Sequence, residues 1–407
     1  MVCLPFRETL TQSHGPARTM ARAWQGRLHG NGAAAEAELR ASEELGPQAR
    51  ALFLPEVTLR TDAEQSWQNR EIGNAGRDSA AFQSLSGRVE LRQPLFRREN
   101  YAIAEANEIL QEQEGLRYAQ SQQDVLLQVS EAYFDVLLAQ DRLEFTEAEL
   151  DAVESELQRA ERALEVGSGT VTDRDEAQAR FDRVSAQKLR ARTQLRIARE
   201  ALASLIGQRP GRVARLDDTF APEHPSPETA EAWAERAERN NLSVRQATKA
   251  VERSRTRIER TRSERWPSVD LVASYGRSYQ SDSLIGAQQF RDGRIDSETT
   301  TIGVNLSMPL YTGGRAPSET RQARAERDAS FQQSREAKRQ ARLRAESAYL
   351  TLVSNLREID ALEQALASAR STEESTQRGL DVGLRTTLDV LNIQRDRFAT
   401  ERDLAEA

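Results

Sequence analysis

Two stretches decide the fold: Glu165–Asp182, EVGSGTVTDRDEAQARFD, and Val382–Asn392, VGLRTTLDVLN. In each, a Val-Gly pair follows a long run almost free of helix breakers. Residues 97–165 hold one glycine, Gly115, and no proline. A Thr/Asp-rich step follows each Val-Gly, and then a helical pattern resumes. A helix that ends in a sharp reversal usually needs a left-handed residue, and Gly167, with Gly169 close behind, and Gly383 supply it. Thr172 and Asp173, and Thr387 and Asp389 in the second stretch, are the expected N-terminal caps of the returning helices.

The resemblance between the two stretches extends to the whole chain. Val166-Gly167 returns as Val382-Gly383 at an offset of 216, and EAYFDVLLA from Glu131 returns as SAYLTLVSN from Ser347 at the same offset. LPEVTL at 54–59 returns as WPSVDL at 266–271, offset 212, and QPLF at 93–96 as MPLY at 308–311, offset 215. Four matches in one order at a near-constant offset mark a tandem duplication. The expected organisation is a divergent segment 1–21, a first repeat 22–215, a linker 216–227 and a second repeat 228–407. Each repeat runs helix, two strands, then a helical hairpin, with strands at about 55–68 and 81–95, then about 267–280 and 299–311. The hairpin tips fall at 166–173 and 382–389, and the Pro-, Gly- and acid-rich GQRPGRVARLDDTFAPEHPSPE joins the halves.

The hairpins carry coiled-coil signals. Val129, Val136, Leu143, Leu150, Leu157 and Leu164 are spaced by seven, with Ala132, Ala139, Thr146, Val153 and Ala160 as a second seam. Beyond the turn, Phe181, Leu195 and Leu202 alternate with Ala177, Val184, Ala191, Ala198 and Leu205, so the two helices run antiparallel. Ala345, Leu352, Ile359 and Leu366 are the expected seam of the second hairpin.

The strand segments alternate with period two: Val57 and Leu59 towards Trp67; Leu85, Gly87, Val89 and Leu91; Val269, Leu271, Ala273 and Tyr275; Ile302, Val304, Leu306 and Met308. One apolar and one polar face fit a transmembrane barrel or a half-buried soluble sheet. Four strands cannot close a wide barrel alone, whereas strands shared between copies would remove the exposed edges. The polar stretches Gln68–Ala80 and Gln280–Thr299 are the expected loops.

Composition excludes several classes. Of 407 residues 38% are hydrophobic and 30% charged, a lean balance suited to long exposed helices. The net charge of -7 is too small to imply a polyanion partner, and arginines interleaved with acids argue against nucleic acid. A single cysteine, Cys3, excludes an internal disulfide, and His14, His29 and His224 lack metal-ligand spacing. No apolar run approaches the ~18 residues of a membrane-spanning helix, and no leader is visible at the start. GQRPG and YTGGR lack phosphate-loop spacing, and no nucleophile–base pair is present, so no catalytic site, metal or cofactor is expected.

In order and motif the chain resembles the TolC family of outer-membrane efflux and type I secretion ducts over about residues 22–407, with VGLRTTLDVLN the most specific piece. The resemblance implies a mainly α fold with transmembrane β structure: long antiparallel coiled-coil hairpins, and four strands given to a barrel shared by a homotrimer in the outer membrane. The helices would continue as a periplasmic tunnel. The implied partners are outer-membrane lipid, a periplasmic adaptor protein and an inner-membrane pump, ABC-type or proton-driven. By motif match, Arg385 in the second tip would contact Thr172 and Asp173 in the first, as a latch. Asp389 would form an acidic ring in the aperture, and Asn392 stands where a second acid is usual. Leu380 replaces the tyrosine common before the second Val-Gly. Val166, Gly167, Gly169, Val382, Gly383 and Leu384 would form the tip turns that meet the adaptor.

A soluble coiled-coil scaffold or periplasmic adaptor is the competing reading, although an adaptor is expected to carry one hairpin between β-rich domains. By the repeat offset the last helix stops about sixteen residues early, so a truncated, non-functional duct copy is a further alternative.

Overall fold

The computed structural model describes residues 31–71, 77–211, 213–215, 224–281 and 295–407. Cys3, His14, His29, the segment 1–21 and residues 216–223 of the expected linker lie outside the described residues. The elements in chain order are α1 (Asn31–Glu43), α2 (Leu45–Ala51), β1 (Glu56–Glu71), β2 (Arg77–Phe96), α3 (Arg98–Glu165) and α4 (Val171–Ile206). The second half follows with α5 (Ala230–Asn240), α6 (Leu242–Ser263), β3 (Ser268–Gln280), β4 (Ile295–Ser307), α7 (Arg315–Asp381) and α8 (Thr387–Glu406). The chain forms two compact units: one includes Arg117–Val244 and Lys338–Ala407, the other Glu38–Leu116 and Arg245–Ala337.

The second of these units is built on an antiparallel sheet of order β1-β2-β3-β4. β1 and β2 run further than expected: the register continues to Glu71↔Arg77, so most of the expected loop Gln68–Ala80 is strand. β4 is shifted the other way, starting at Ile295 and ending at Ser307, before Met308. Antiparallel pairing continues as long as the partner supplies backbone donors and acceptors, whatever the side-chain polarity, which is why the composition understated the strands.

Register sorts every strand residue onto one of two faces. Val57↔Leu91, Leu91↔Ala273 and Ala273↔Ile302 form one row across all four strands. Leu59↔Val89 and Val89↔Tyr275 form the next. All the apolar strand residues read from the sequence therefore share one face. The opposite face carries Thr58, Arg60, Asp62, Ser86, Arg88, Glu90, Ser274, Thr301 and Asn305.

Polar contacts fasten the sheet to the helices of its unit. Asp270 is 2% exposed and takes Arg92 Nη2 at 2.9 Å and Arg97 Nη2 at 2.6 Å. This carboxylate ties β2, β3 and the entry to α3. Asn100 donates to Leu52 O at 2.5 Å and Gln93 to Phe53 O at 2.8 Å, docking the end of α2. The glycines of YTGGR, Gly313 at φ +62° and Gly314 at φ +82°, turn the chain into α7.

The other unit is helical, and its first hairpin follows the heptads. Val129, Ala132, Val136, Ala139, Leu195, Ala198 and Leu202 form one buried cluster. Val153, Leu157, Ala160, Ala177, Val184 and Leu391 form a second, nearer the tips. The second hairpin departs from expectation. Leu352 is 42% exposed, while Leu356 and Leu366 are buried. Arg370 pairs with Glu401 at 3.0 Å, so α8 runs beside the last turns of α7.

The duplicated tyrosines have a matching task. Tyr133 Oη donates to Ala214 O at 2.6 Å, and Tyr349 Oη donates to Glu228 O. Each "AY" motif thus anchors one end of the segment that joins the two repeats.

Candidate functional site

The two tips share one hydrogen-bond pattern. In the first, Gly167 N–H donates to Leu164 O (3.1 Å), while Ser168 N–H and Gly169 N–H both donate to Ala163 O (2.9 Å). In the second, Gly383 N–H donates to Leu380 O (2.9 Å), and Leu384 N–H and Arg385 N–H donate to Gly379 O (2.8 and 3.2 Å). Gly167 and Gly383 lie at φ +75° and +77°, where an L side chain is strained.

The caps lie earlier than the sequence suggests. Thr170 is the N-cap of α4: its hydroxyl accepts from Asp173 N–H at 3.1 Å, while Asp173 Oδ2 accepts from Thr170 N–H at 3.2 Å. Thr386 and Asp389 form the same reciprocal capping box on α8. Thr172 and Thr387 are therefore in the first helical turns and are not caps. The reason is spacing: a capping box needs the acid three residues after the cap, which selects Thr170 and Thr386. Hydrogen bonds from the Thr386 backbone and hydroxyl hold the Asp389 carboxyl below the usual aspartate range.

The tips differ at one pair of positions. Gly169 lies against Ala163: a Cβ on Gly169 would stand 3.0 Å from Ala163 Cβ. In the second tip the glycine is on the other partner, Gly379, and the side chain is on Arg385. One glycine per pair is a steric requirement, and exchanging its place gives the second tip an arginine. Arg385 is exposed, and within the single chain it is not paired with Asp173, which closes on Thr170. Asn392 follows Leu391, the α8 residue that enters the second apolar cluster.

Both tips are apolar at their ends. Val166 is 79% and Leu384 82% exposed, with Val382, Val171 and Leu388 exposed beside them.

Behind the tips lie two buried acids that sequence reasoning missed. Glu149 on α3 is 1% exposed and accepts from Arg180 of α4 at 2.7 Å and from Arg402 of α8 at 2.9 Å. It joins the two hairpins through one carboxylate. Burial is the largest influence on the Arg180 guanidinium and lowers its pKa, with Glu149 opposing. Glu156, one heptad on, is 3% exposed; its Oε2 has no hydrogen bond and sees Arg159 at 3.5 Å. Burial raises its pKa, Arg159 offsets this in part, and the Asp381 charge adds to the rise. The signal was present, since Glu149 and Glu156 flank the apolar seam at a spacing of seven.

Among the described residues no helix is long and apolar enough to cross a membrane. The sheet is different: Ile302 is 76% exposed, with Val57, Leu59, Leu85, Val304 and Leu306 also exposed on its apolar face.

Known proteins share this arrangement. The family described as outer membrane efflux protein matches residues 33–208 and 233–407. The outer membrane protein TolC of Vibrio cholerae is 32% identical over 382 residues, 91% of this chain and 82% of TolC. The alkaline protease secretion protein AprF of Pseudomonas aeruginosa is 28% identical, covering 92% of this chain and 77% of AprF. In structure, the outer membrane protein VceC of Vibrio cholerae superposes with a TM-score of 0.75 at 20% identity, over 96% of this chain and 91% of VceC. Two long hairpins, a four-stranded sheet with an outward apolar face and a match over both repeats lead to one conclusion: the chain belongs to the outer membrane efflux protein family, as an outer-membrane efflux or secretion duct whose tunnel extends into the periplasm.

Proposed function

We propose that three copies of this chain assemble into one conduit, each giving four strands to a common barrel and its hairpins to a common tunnel. The observation that carries this reading is the sheet. Among the described residues its edge strands β1 and β4 pair on one side only, and its apolar face is exposed in the single chain. Closing edges between copies satisfies both backbone edges and turns the apolar face to lipid. The apolar tips, Val166, Gly167, Gly169, Val382, Gly383 and Leu384, dock a periplasmic adaptor, and an ABC-type or proton-driven inner-membrane pump supplies the energy. No reaction is catalysed and no cofactor is used.

Arg385 closes the aperture against Thr172 and Asp173 of a tip, as a charge-assisted contact. An exposed pair of this kind contributes up to about 1 kcal/mol, small enough for a docking partner to break. Asp389 lines the closed throat, with neutral Asn392 one turn behind.

The test is the mass of the detergent-extracted protein by light scattering after membrane fractionation. A trimer in the outer-membrane fraction is the expected result. A soluble monomer would remove the shared-barrel reading and leave a helical scaffold.

A further inference from the structure

On the polar face of the sheet, Arg60 of β1 is directly opposite Arg88 of β2. Like charges directly opposite across a strand pair are unfavourable, so the pair costs stability unless something compensates it. Among the described residues neither arginine has an ion-pair partner, and both side chains are exposed. Acids share this face and keep their charge without pairing with either arginine: Asp62 accepts from Ser86 at 3.4 Å and Glu64 from Ser66 at 2.9 Å. Asp270 is held by Arg92 and Arg97. Glu90 is on the same face two residues beyond Arg88 and joins neither.

The rest of the row keeps space open. Arg88 is opposite Gly276, and Gly276 is opposite Thr299. A Cβ on Gly276 would meet Arg88 Cβ and Nε at 3.6 Å, so the Arg88 stem lies over the bare glycine. The row Arg60–Arg88–Gly276–Thr299 thus presents two guanidinium groups and two small neighbours. It sits between the apolar row Leu59–Val89–Tyr275 and the row Thr61–Gly87–Arg277 of the opposite face, at the edge of the apolar rows.

We propose that Arg60 and Arg88 form an anion-attracting station on the inner wall of the conduit, selecting solutes or chain segments that carry carboxylate or phosphate groups. The inference rests on the shared-barrel reading, which turns this face to the lumen. Guanidinium groups recognise carboxylate and phosphate oxygens bidentately. A low-dielectric surround strengthens their field, and rings of arginine confer anion preference on pores. Three copies would place six such groups at one level.

The experiment is ion selectivity of the purified protein in planar bilayers, from the reversal potential across a KCl gradient. In Arg60→Gln/Arg88→Gln the chloride-to-potassium permeability ratio is expected to fall about two-fold or more, with each single variant between. Arg277→Gln, on the apolar face, leaves the ratio unchanged. A second measurement uses the wild type alone: citrate added on the barrel side reduces the current, and a neutral sugar at equal concentration does not. Conducting channels with an unchanged ratio in the double variant overturn the station and leave the barrel reading intact. If the double variant does not insert, a wild-type current indifferent to citrate overturns it equally. A wild type that conducts nothing removes the barrel reading and this inference with it.

Discussion

A Cβ built on Gly379 would stand 2.8 Å from Arg385 Cγ, so these two residues occupy one space that only one of them can fill. In the first tip the same space is shared by Ala163 and Gly169, with the occupancy reversed. Gly379 is in the last turn of α7, where glycine costs about 1 kcal/mol against alanine. That cost is offset by room for the arginine. Gly379→Ala should therefore displace Arg385 even though it favours the helix, and should raise channel conductance if Arg385 latches the closed aperture. Adding Arg385→Gly recreates the Ala163/Gly169 arrangement and should restore the melting temperature lost in the single variant. A single variant matching wild type in both melting and conductance would refute the shared-space account.

The two threonines of the first tip should separate by readout. Thr170→Ala removes the cap of α4 and should cost about 1 kcal/mol, visible as a lower melting temperature by circular dichroism. Thr172→Ala removes no cap and should leave melting unchanged, while increasing conductance if Thr172 meets Arg385 in the closed aperture.

Glu149 joins three helices, and removing it leaves Arg180 and Arg402 without their carboxylate. Breaking a buried pair costs about 3 kcal/mol, so Glu149→Ala should destabilise the helical unit by that order. Arg402→Ala should cost less than Arg180→Ala, because Arg402 is the more exposed of the two. Equal losses for the two arginines would contradict the assigned burial.

Burial raises the Glu156 pKa, so the folded protein binds this proton more tightly than the unfolded chain does. The sign follows: its contribution favours folding below the unfolded pKa and is lost as pH rises through the folded one. Glu156→Gln should raise the melting temperature at neutral pH and flatten its dependence on pH across the acidic range. A variant whose melting curve keeps the wild-type pH dependence would show that other carboxylates set it.

The sheet gives a depth-dependent test. Ile302→Arg puts a charge on the exposed apolar face and should cost about 2–4 kcal/mol in a membrane, seen as loss of outer-membrane assembly. Thr301→Arg, one residue away on the polar face, should assemble normally. Equal tolerance of both would mean that neither face meets lipid.

Much of this protein is written in local sequence. The heptads through Val136 and Leu157, the Val-Gly turns and the period-two segments each follow from a short-range rule: helix period, strand period or left-handed glycine. These rules put the apolar residues read from the sequence on one face, Met308 beyond the end of β4 excepted, because a one-residue slip would have moved them all. The rules stop where a partner distant in sequence decides. Composition alone did not show that β1 and β2 pair on to Glu71 and Arg77, because the partner strand supplies those bonds. Burial of Glu149 and Glu156 depends on α4 and α8 arriving against α3. The arginine pair at 60 and 88 exists only through register, 28 residues apart in sequence and directly opposite in the sheet. Periodicity fixes which way a side chain faces along its own element; tertiary structure decides what it faces, since the energies of buried charges and opposed like charges depend on neighbours that the chain brings together only on folding.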